Sequence, residues 1–587
     1  MLTNSPVVLS PGPRALFLIS AIITTAVLLG IQQVGDAGGY HGLTPIFYVL
    51  FVSEDFWGTA IELLILASAV FIAAKVPART ILRAAGEHPG KIAAIVAVVL
   101  CTGTLFVYHD HPLSMDEYAA YFQSQVFASG HITGQFPLAL RDWLIPPKFQ
   151  DVFFHISHAD GRVASNYWPG HALLMAPFAL LGIPWACNPV LTALTLLAIH
   201  RLAMHLFDDV EASGLALLLT VASPVIFGNG ISYYSMPAHL LANSLYALLL
   251  VRPTALRSFA AGIVGSFALF LHNPVPHTLF ALPWVVWVIT RPGGMRLFAL
   301  LCAGYIPLSL LLGVGWFELS GHLRSAGREN SQVMADASRV RAMLLVFSPP
   351  NGTALLARLI GVAKVWIWAV PGLMILACYG AARWYRNAHC RLLAASALFT
   401  LIGYVFFPED QGHGWGYRYF HSAWMALPLL ATAALFRPVQ TANPTADART
   451  GLFEDKETRK FVVTCALLTL VFGVGWRIWQ MQEFTYDQIA LLPDYPGTER
   501  RVVIINGNFS RYSGDFVQND PWLRSNAIRM YSHGMAADAK MMAEYFPEMH
   551  IVSRGPRGTV WSTAQPLGDA QPAHAPRAGS SLARPDP

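Results

Sequence analysis

Polar residues along this chain gather into a few stretches. Between them lie apolar runs long enough, at roughly 17 to 25 residues, to cross a bilayer as helices. The pattern places such runs near 15–32, 58–75, 91–108, 188–206, 213–230, 237–251, 258–272, 277–290, 297–317, 358–380, 392–408, 420–436 and 461–479. Pro237, Pro274, Pro276 and Pro283 interrupt two of them. The expectation is an α-helical polytopic membrane protein with about 11–14 transmembrane helices. Arg14 precedes the first run, and no small-x-small pattern follows it at Gln32, Gln33 and Val34, so it reads as a retained span and not a cleaved signal. The run Ala172 to Ile183 is too short to span and predicts a helix lying at the interface or a re-entrant segment.

After Trp479 the pattern changes. Arg501 to Asn508 reads as a buried strand ended by turn residues, Ala536 to Tyr545 as a helix and Met549 to Val552 as a second strand. Five regions follow: two N-terminal spans in 1–90, a central module over 91–436 with a long outer loop at 108–187, a polar loop and last span over 437–479, a small α/β appendage over 480–566, and a Pro-, Ala-, Gly-, Ser- and Arg-rich tail over 567–587 that predicts disorder.

Composition agrees with the helices: 54% of residues are hydrophobic and 12% charged, which excludes an ordinary soluble protein. The net charge of +5 is spread in small clusters between apolar runs, as membrane topology requires and a nucleic-acid surface does not. Lys75, Arg79, Arg83 and Lys91 fall in one loop. Arg252 and Arg257, Arg291 and Arg296, then Arg383, Arg386 and Arg391 fall in later alternate loops, and Lys456, Arg459 and Lys460 agree with them. These loops are therefore cytoplasmic, and the stretches 108–187, 318–357, 408–420 and the region after about 480 lie on the other face. Most of the six cysteines lie in apolar runs, so no disulfide framework is expected.

The outward stretches hold the candidate chemistry. Asp116 and Glu117 directly follow the third apolar run, and carboxylates beside a bilayer are costly unless they face water or a partner. They equally suit a solvated helix N-terminus, where acids are favoured by unpaired N–H groups. An aromatic loop follows, through Tyr121, Phe122, Val126 and Phe127 at near-helical spacing, Lys148, and Tyr167-Trp168-Pro169-Gly170-His171. Far downstream, Gly414-Trp415-Gly416-Tyr417-Arg418-Tyr419-Phe420 opens a late helix. There Arg418 is either a phosphate-binding guanidinium or an interface residue flanked by aromatic-belt tyrosines. His109, Asp110, His111, His155, His158, Asp160 and His171 lie in the first loop without a familiar metal-ligand spacing, so a divalent cation is a minor alternative to hydrogen-bonded histidines. His239 begins a helix at another outer turn.

The Asp-Glu-Tyr at a helix exit, the aromatic loop, the Tyr-Trp-Pro-Gly-His element before an apolar helix, and the Gly-Tyr-Arg-Tyr element far downstream together resemble the GT-C membrane glycosyltransferases, in the protein O-mannosyltransferase, aminoarabinose transferase and bacterial lipopolysaccharide sugar transferase branches (family 39-like). The resemblance covers roughly 91–436 and rests on order and topology. Two features depart from it: the acidic pair follows the third span where the family usually has it after the first, and Leu271-His272-Asn273-Pro274 stands where many bacterial members carry Arg-Pro. The resemblance implies transfer of a sugar from a polyprenyl-phosphate donor to a hydroxyl on a glycan, lipid or protein at the extracytoplasmic face of a bacterial inner membrane. Inversion at the anomeric carbon and Asp116 as general base are implied with it, Glu117 orienting the acceptor or tuning charge. A leaving phosphate needs fixed positive charge, for which Arg418 is the first candidate, with His413, Lys148, Arg339 and Arg341 behind it. Tyr167, Trp168, Tyr417, Tyr419 and His239 are candidates for lining the substrate cleft, although belt or local structural roles fit them too.

Three other classes remain open, one of them a non-catalytic membrane scaffold. A transporter or flippase should gather its polar residues at mid-membrane on broken helices. A lipid-linked polysaccharide polymerase or ligase would use outer-face arginines on the same lipid class.

Overall fold

The computed structural model describes residues 10–326, 349–407, 410–439, 451–493, 498–507, 509–510 and 512–564. Arg339, Arg341 and the tail 567–587 lie outside them.

Every expected apolar run contains helix. Among the described residues seven helices are long and apolar enough to cross a membrane: Pro11–Ala37, Pro45–Lys75, Pro89–Phe106, Pro184–Phe207, Gly294–Ser325, Ala388–Val405 and Lys456–Ile489. Val210–Val221 and Pro224–Gly230 are together long and apolar enough as well, and are bent by 61° at the break between them, as in a broken span or a re-entrant loop. Five more of the expected spans appear as shorter apolar helices, including Met236–Leu250, Ala255–Leu269 and Val275–Ile289. The prolines explain much of that shortness. Pro237 and Pro276 stand in the first turns of two of these helices, where a missing N–H costs nothing, and so mark helix starts instead of interrupting spans. The run near 358–380 likewise divides at Pro371-Gly372 into Gly352–Ile367 and Leu373–Arg383, with Gly372 at φ +85°.

The chain folds into two compact units, each assembled from separated stretches. The helical unit comprises Met1–Gly103, Asn188–Leu310 and Ser338–Gln480. With no hydrophobic drive between helices in lipid, its helices pack by close backbone approach at small residues. A Cβ added at Gly262 would lie 2.1 Å from the Leu301 carbonyl oxygen, and one at Gly304 2.1 Å from that of Phe259.

The second unit comprises Thr104–Cys187, Leu311–Ala337 and Met481–Pro587. Its first part carries the helix Met115–Ala128, a three-stranded antiparallel sheet (Gly134–Gln135, Arg162–Ser165, Phe154–Ile156 in that order) and the helix Gly170–Leu180, which ends in the exposed pair Leu180 and Leu181. Its last part is a four-stranded sheet in which Arg501–Ile505 pairs in parallel with Ala527–Tyr531 and antiparallel with Gly558–Ser562; the latter pairs with His550–Gly555. The helix Met535–Tyr545 accompanies it. These parts share one core: Phe122, Val126, Phe136, Phe154 and Val163 from the first loop pack with Val502, Ile504, Ile528, Met530 and Met542 from the C-terminal region. The C-terminal region is thus built into the loop that follows the third span.

Candidate active site

Asp116 sits in the first turn of Met115–Ala128, half-buried, at a helix end that favours negative charge. The Tyr167 hydroxyl donates to its Oδ1. Tyr167 comes from the segment after the short sheet and packs edge-on against Phe153, with ring centroids 6.3 Å apart. Glu117 is fully buried. Its carboxylate accepts from the Tyr108 hydroxyl at 3.0 Å and from the Leu113 N–H at 2.8 Å, tying the loop 108–114 to the helix start. One acid of the pair therefore faces the edge of the fold while the other fastens it.

Two further residues join this cluster within the same unit. Asp515, in the single turn Ser513–Phe516, lies within electrostatic reach of Asp116 and Lys148. Burial pushes its carboxyl up to about 7; Lys148 and the Met115 N–H oppose that rise and Asp116 adds to it. Lys148 is exposed, with its ammonium 5.0 Å from the Phe149 ring. Trp168 packs instead on Trp316 and Leu323, a structural position.

Arg418 belongs to the helical unit. It opens the short helix Arg418–His421, is 6% exposed, donates to the Gln411 carbonyl at 2.5 Å, and lies over the rings of Tyr234 at 4.5 Å and Phe47 at 5.7 Å. Tyr419 stacks face to face on Tyr404 with centroids 4.1 Å apart, and Tyr417 is buried beside His413. A second guanidinium, Arg358, joins this layer. It donates to the Tyr404 and Phe407 carbonyls at 2.9 and 2.7 Å, lies 5.2 Å from the Tyr419 ring centroid and 3.6 Å from Asp410.

Burial pushes the Asp410 carboxyl up, but His413, the Thr44 N–H at 2.9 Å and Arg358 more than offset it, so the group stays below its ordinary value. His413 is fully buried, and burial lowers its imidazole despite Asp410 at 3.3 Å. Its Nε2 lies 3.1 Å from the Ala357 carbonyl and 3.3 Å from Asp410. His239 is buried in the first turn of Met236–Leu250.

The first-loop histidines go to separate partners. His155 faces Asp151 at 3.5 Å, His158 meets the Arg141 guanidinium at 2.6 Å, and His111 is pushed down to about 4 by burial, with Arg529 and His109 adding to the shift. Among the described residues no group of three or more His, Cys, Asp or Glu side chains is arranged to hold a metal ion. A cavity of about 810 Å³ occurs in the helical unit, lined by Arg79, Glu211, Arg437 and Glu454. Two of its cations face carboxylates, Arg79 to Glu211 at 2.8 Å and Arg437 to Glu454 at 3.1 Å.

Sequence reasoning missed Asp515, Arg358 and Asp410. Arg358 carried a usable signal, a cation at the edge of an apolar run. Asp515 carried none, because a Ser-Gly-Asp-Phe turn in a polar region is indistinguishable from any surface turn.

No family model matches the sequence, and no curated protein matches it. Among solved structures the chain is similar to ArnT from Cupriavidus metallidurans bound to undecaprenyl phosphate, with a TM-score of 0.49, 14% identity, and coverage of 82% of this chain and 99% of that one. It is also similar to the same enzyme in the apo state, with a TM-score of 0.46, 14% identity, and coverage of 81% and 97%.

Proposed function

We propose that this chain is a multi-pass membrane glycosyltransferase that moves a sugar from a polyprenyl-phosphate donor to an acceptor hydroxyl on the extracytoplasmic face of a bacterial inner membrane. The observation that carries the reading is Asp116: a half-buried carboxylate at a helix N-terminus, held through one oxygen by Tyr167. The order of motifs that resembles the GT-C transferases supports it.

In the proposed step Asp116 accepts the proton of the acceptor hydroxyl as its oxygen bonds to the anomeric carbon. The bond from that carbon to the phosphate oxygen breaks on the opposite side, and the polyprenyl phosphate departs with the electron pair. Configuration inverts because a single displacement occurs. A departing phosphate needs fixed positive charge, which the resemblance assigns to Arg418. Glu117 keeps Asp116 in register through Tyr108 and Leu113.

The test is transfer by membranes carrying the full-length protein, with a panel of polyprenyl-phosphate sugars as donors. Asp116→Asn should abolish transfer without loss of protein, and wild-type activity in that variant removes Asp116 as base. A transporter reading draws on the 61° break between Val210–Val221 and Pro224–Gly230. It requires vesicle uptake that survives Asp116→Asn.

A further inference from the structure

The cavity of about 810 Å³ in the helical unit lies where apolar helices begin and end. Among its lining residues Phe207 closes the span Pro184–Phe207, Leu435 closes the apolar helix Ala426–Leu435, and Lys456 opens the span Lys456–Ile489. Arg79 comes from Ala78–Glu87, the helix that links the spans Pro45–Lys75 and Pro89–Phe106. These ends fall on the face that the distribution of Lys and Arg assigns to the cytoplasm. Span ends mark the depth of the lipid headgroups, where an apolar wall meets a charged one.

Five cations and three carboxylates line the cavity, and the carboxylates are already engaged. Asp209 caps the helix Val210–Val221 by accepting from the Ala212 N–H at 2.9 Å. Glu211 holds Arg79, and Glu454 is shared between Arg437 and Arg383, the latter at 2.6 Å. Arg459 is held without a carboxylate among the described residues: its Nη2 donates to the Leu435 and Glu454 carbonyls at 3.0 and 3.3 Å, and its guanidinium lies over the Phe436 ring at 4.1 Å. Exposed Lys456 likewise faces no carboxylate among the described residues. The wall therefore carries positive charge that its own acids do not answer. Arg79 and Arg437 are exposed as well, and solvated ion pairs are weak, so either guanidinium can exchange its carboxylate for a phosphate oxygen.

We propose that this cavity binds a phosphate group, carried by the headgroup of an anionic lipid in the adjacent leaflet, with Lys456 and Arg459 as its cations. Phe207, Leu435 and Phe436 supply the apolar side of the same cavity. Basic clusters at the cytoplasmic ends of spans attract the anionic lipids of that leaflet, and a basic pocket between such helices holds their headgroups. The site belongs to the helical unit and does not depend on the transferase reading.

The experiment is displacement of a fluorescent phosphatidylglycerol from the detergent-solubilised full-length protein, for the wild type, Lys456→Gln, Arg459→Gln and Arg296→Gln. Arg296 is an exposed cation of another loop on the same face and does not line the cavity. The competitors are unlabelled phosphatidylglycerol, phosphatidylcholine and glycerol 3-phosphate. Wild-type protein should prefer phosphatidylglycerol to phosphatidylcholine. Its affinity should fall about fivefold in Lys456→Gln and in Arg459→Gln, the factor expected for one basic residue at an anionic lipid surface, and stay unchanged in Arg296→Gln. Because Lys456 is exposed, its variant keeps the proposal testable if Arg459→Gln does not fold. An equal loss in Arg296→Gln means attraction by the whole face and overturns the site, as does wild-type affinity in both Lys456→Gln and Arg459→Gln. Displacement by glycerol 3-phosphate as strong as that by unlabelled phosphatidylglycerol assigns the cavity to a soluble phosphate and overturns the lipid source.

Discussion

Asp55 and Asp515 are both acids enclosed by protein, and they are held under opposite electrostatic conditions. Asp55, in the helical unit and 1% exposed, has the Lys364 ammonium at 2.8 Å, an Arg477 guanidinium nitrogen at 3.0 Å and the Trp368 indole N–H at 2.8 Å. Arg477 also donates to the Glu54 carbonyl and to Gln480, and Gly58 leaves room for it, since a Cβ there would lie 2.3 Å from the guanidinium carbon. Asp515 has Lys148 as its cation and another acid as its neighbour. The first arrangement spends charge on holding helices together. The second leaves a carboxyl that changes state near neutral pH, the condition that catalytic and binding sites favour.

The sharpest way to break this contrast is Asp116→Asn. Transfer should fall by about 10²–10⁴-fold, the usual contribution of a positioned general base, while thermal unfolding of the purified protein stays near wild type because the side chain is half-buried. Lys364→Met is the mirror case. It removes the nearer of the two cations from buried Asp55 and leaves Arg477 at 3.0 Å as its partner, which should cost about 1–3 kcal/mol of stability and appear as lost folded yield and a lower Tm in mild detergent. If Lys364→Met left Tm unchanged and abolished transfer instead, the Asp55 network would belong to the chemistry and the division drawn here would fail.

The two acids were unequally legible in the sequence. Hydropathy identified a helix within each expected apolar run, the strand at Arg501–Ile505 and the helix at Met535–Tyr545, because burial leaves a periodic or continuous apolar trace. The first-loop sheet left little trace: Gly134–Gln135 and Phe154–Ile156 are too short to alternate visibly. Glu62 and Lys364 stood inside apolar runs, and each was a sign that charges must meet within the helical unit. Asp116 was legible by its place at a helix start. Its association with Asp515 was not, because pairing across such a separation is fixed by tertiary contacts such as Tyr118 with Asn519.

Asp515 also predicts a stability effect whose sign separates it from Asp55. An unfolded Asp ionises near about 3.9, whereas the folded group does so at about 7. Between those values the unfolded chain is ionised and the folded one protonated, so the unfolded state binds fewer protons and stability falls as pH rises through the window. Asp515→Asn lacks this loss. Its Tm advantage over wild type should grow from pH 4 to pH 7 and then level off, by on the order of 1–2 kcal/mol after discounting for partial solvent access. A constant difference across that range would place Asp515 among ordinary surface acids.

The smallest expected effect belongs to Tyr167→Phe. The ring keeps its edge-on packing against Phe153, and only the hydroxyl that donates to Asp116 Oδ1 is lost. One hydrogen bond to a charged group contributes about 1.5–3 kcal/mol when its partner is enclosed, and less where water can replace the donor, as at half-buried Asp116. A water that substitutes for the hydroxyl fills the bond but does not fix the carboxylate's direction, so the expected loss is about three- to tenfold in kcat with donor KM unchanged. A rise in KM with kcat unchanged would mean that Tyr167 touches the donor instead of steering the base, and the site would need its acid and its binding surface reassigned.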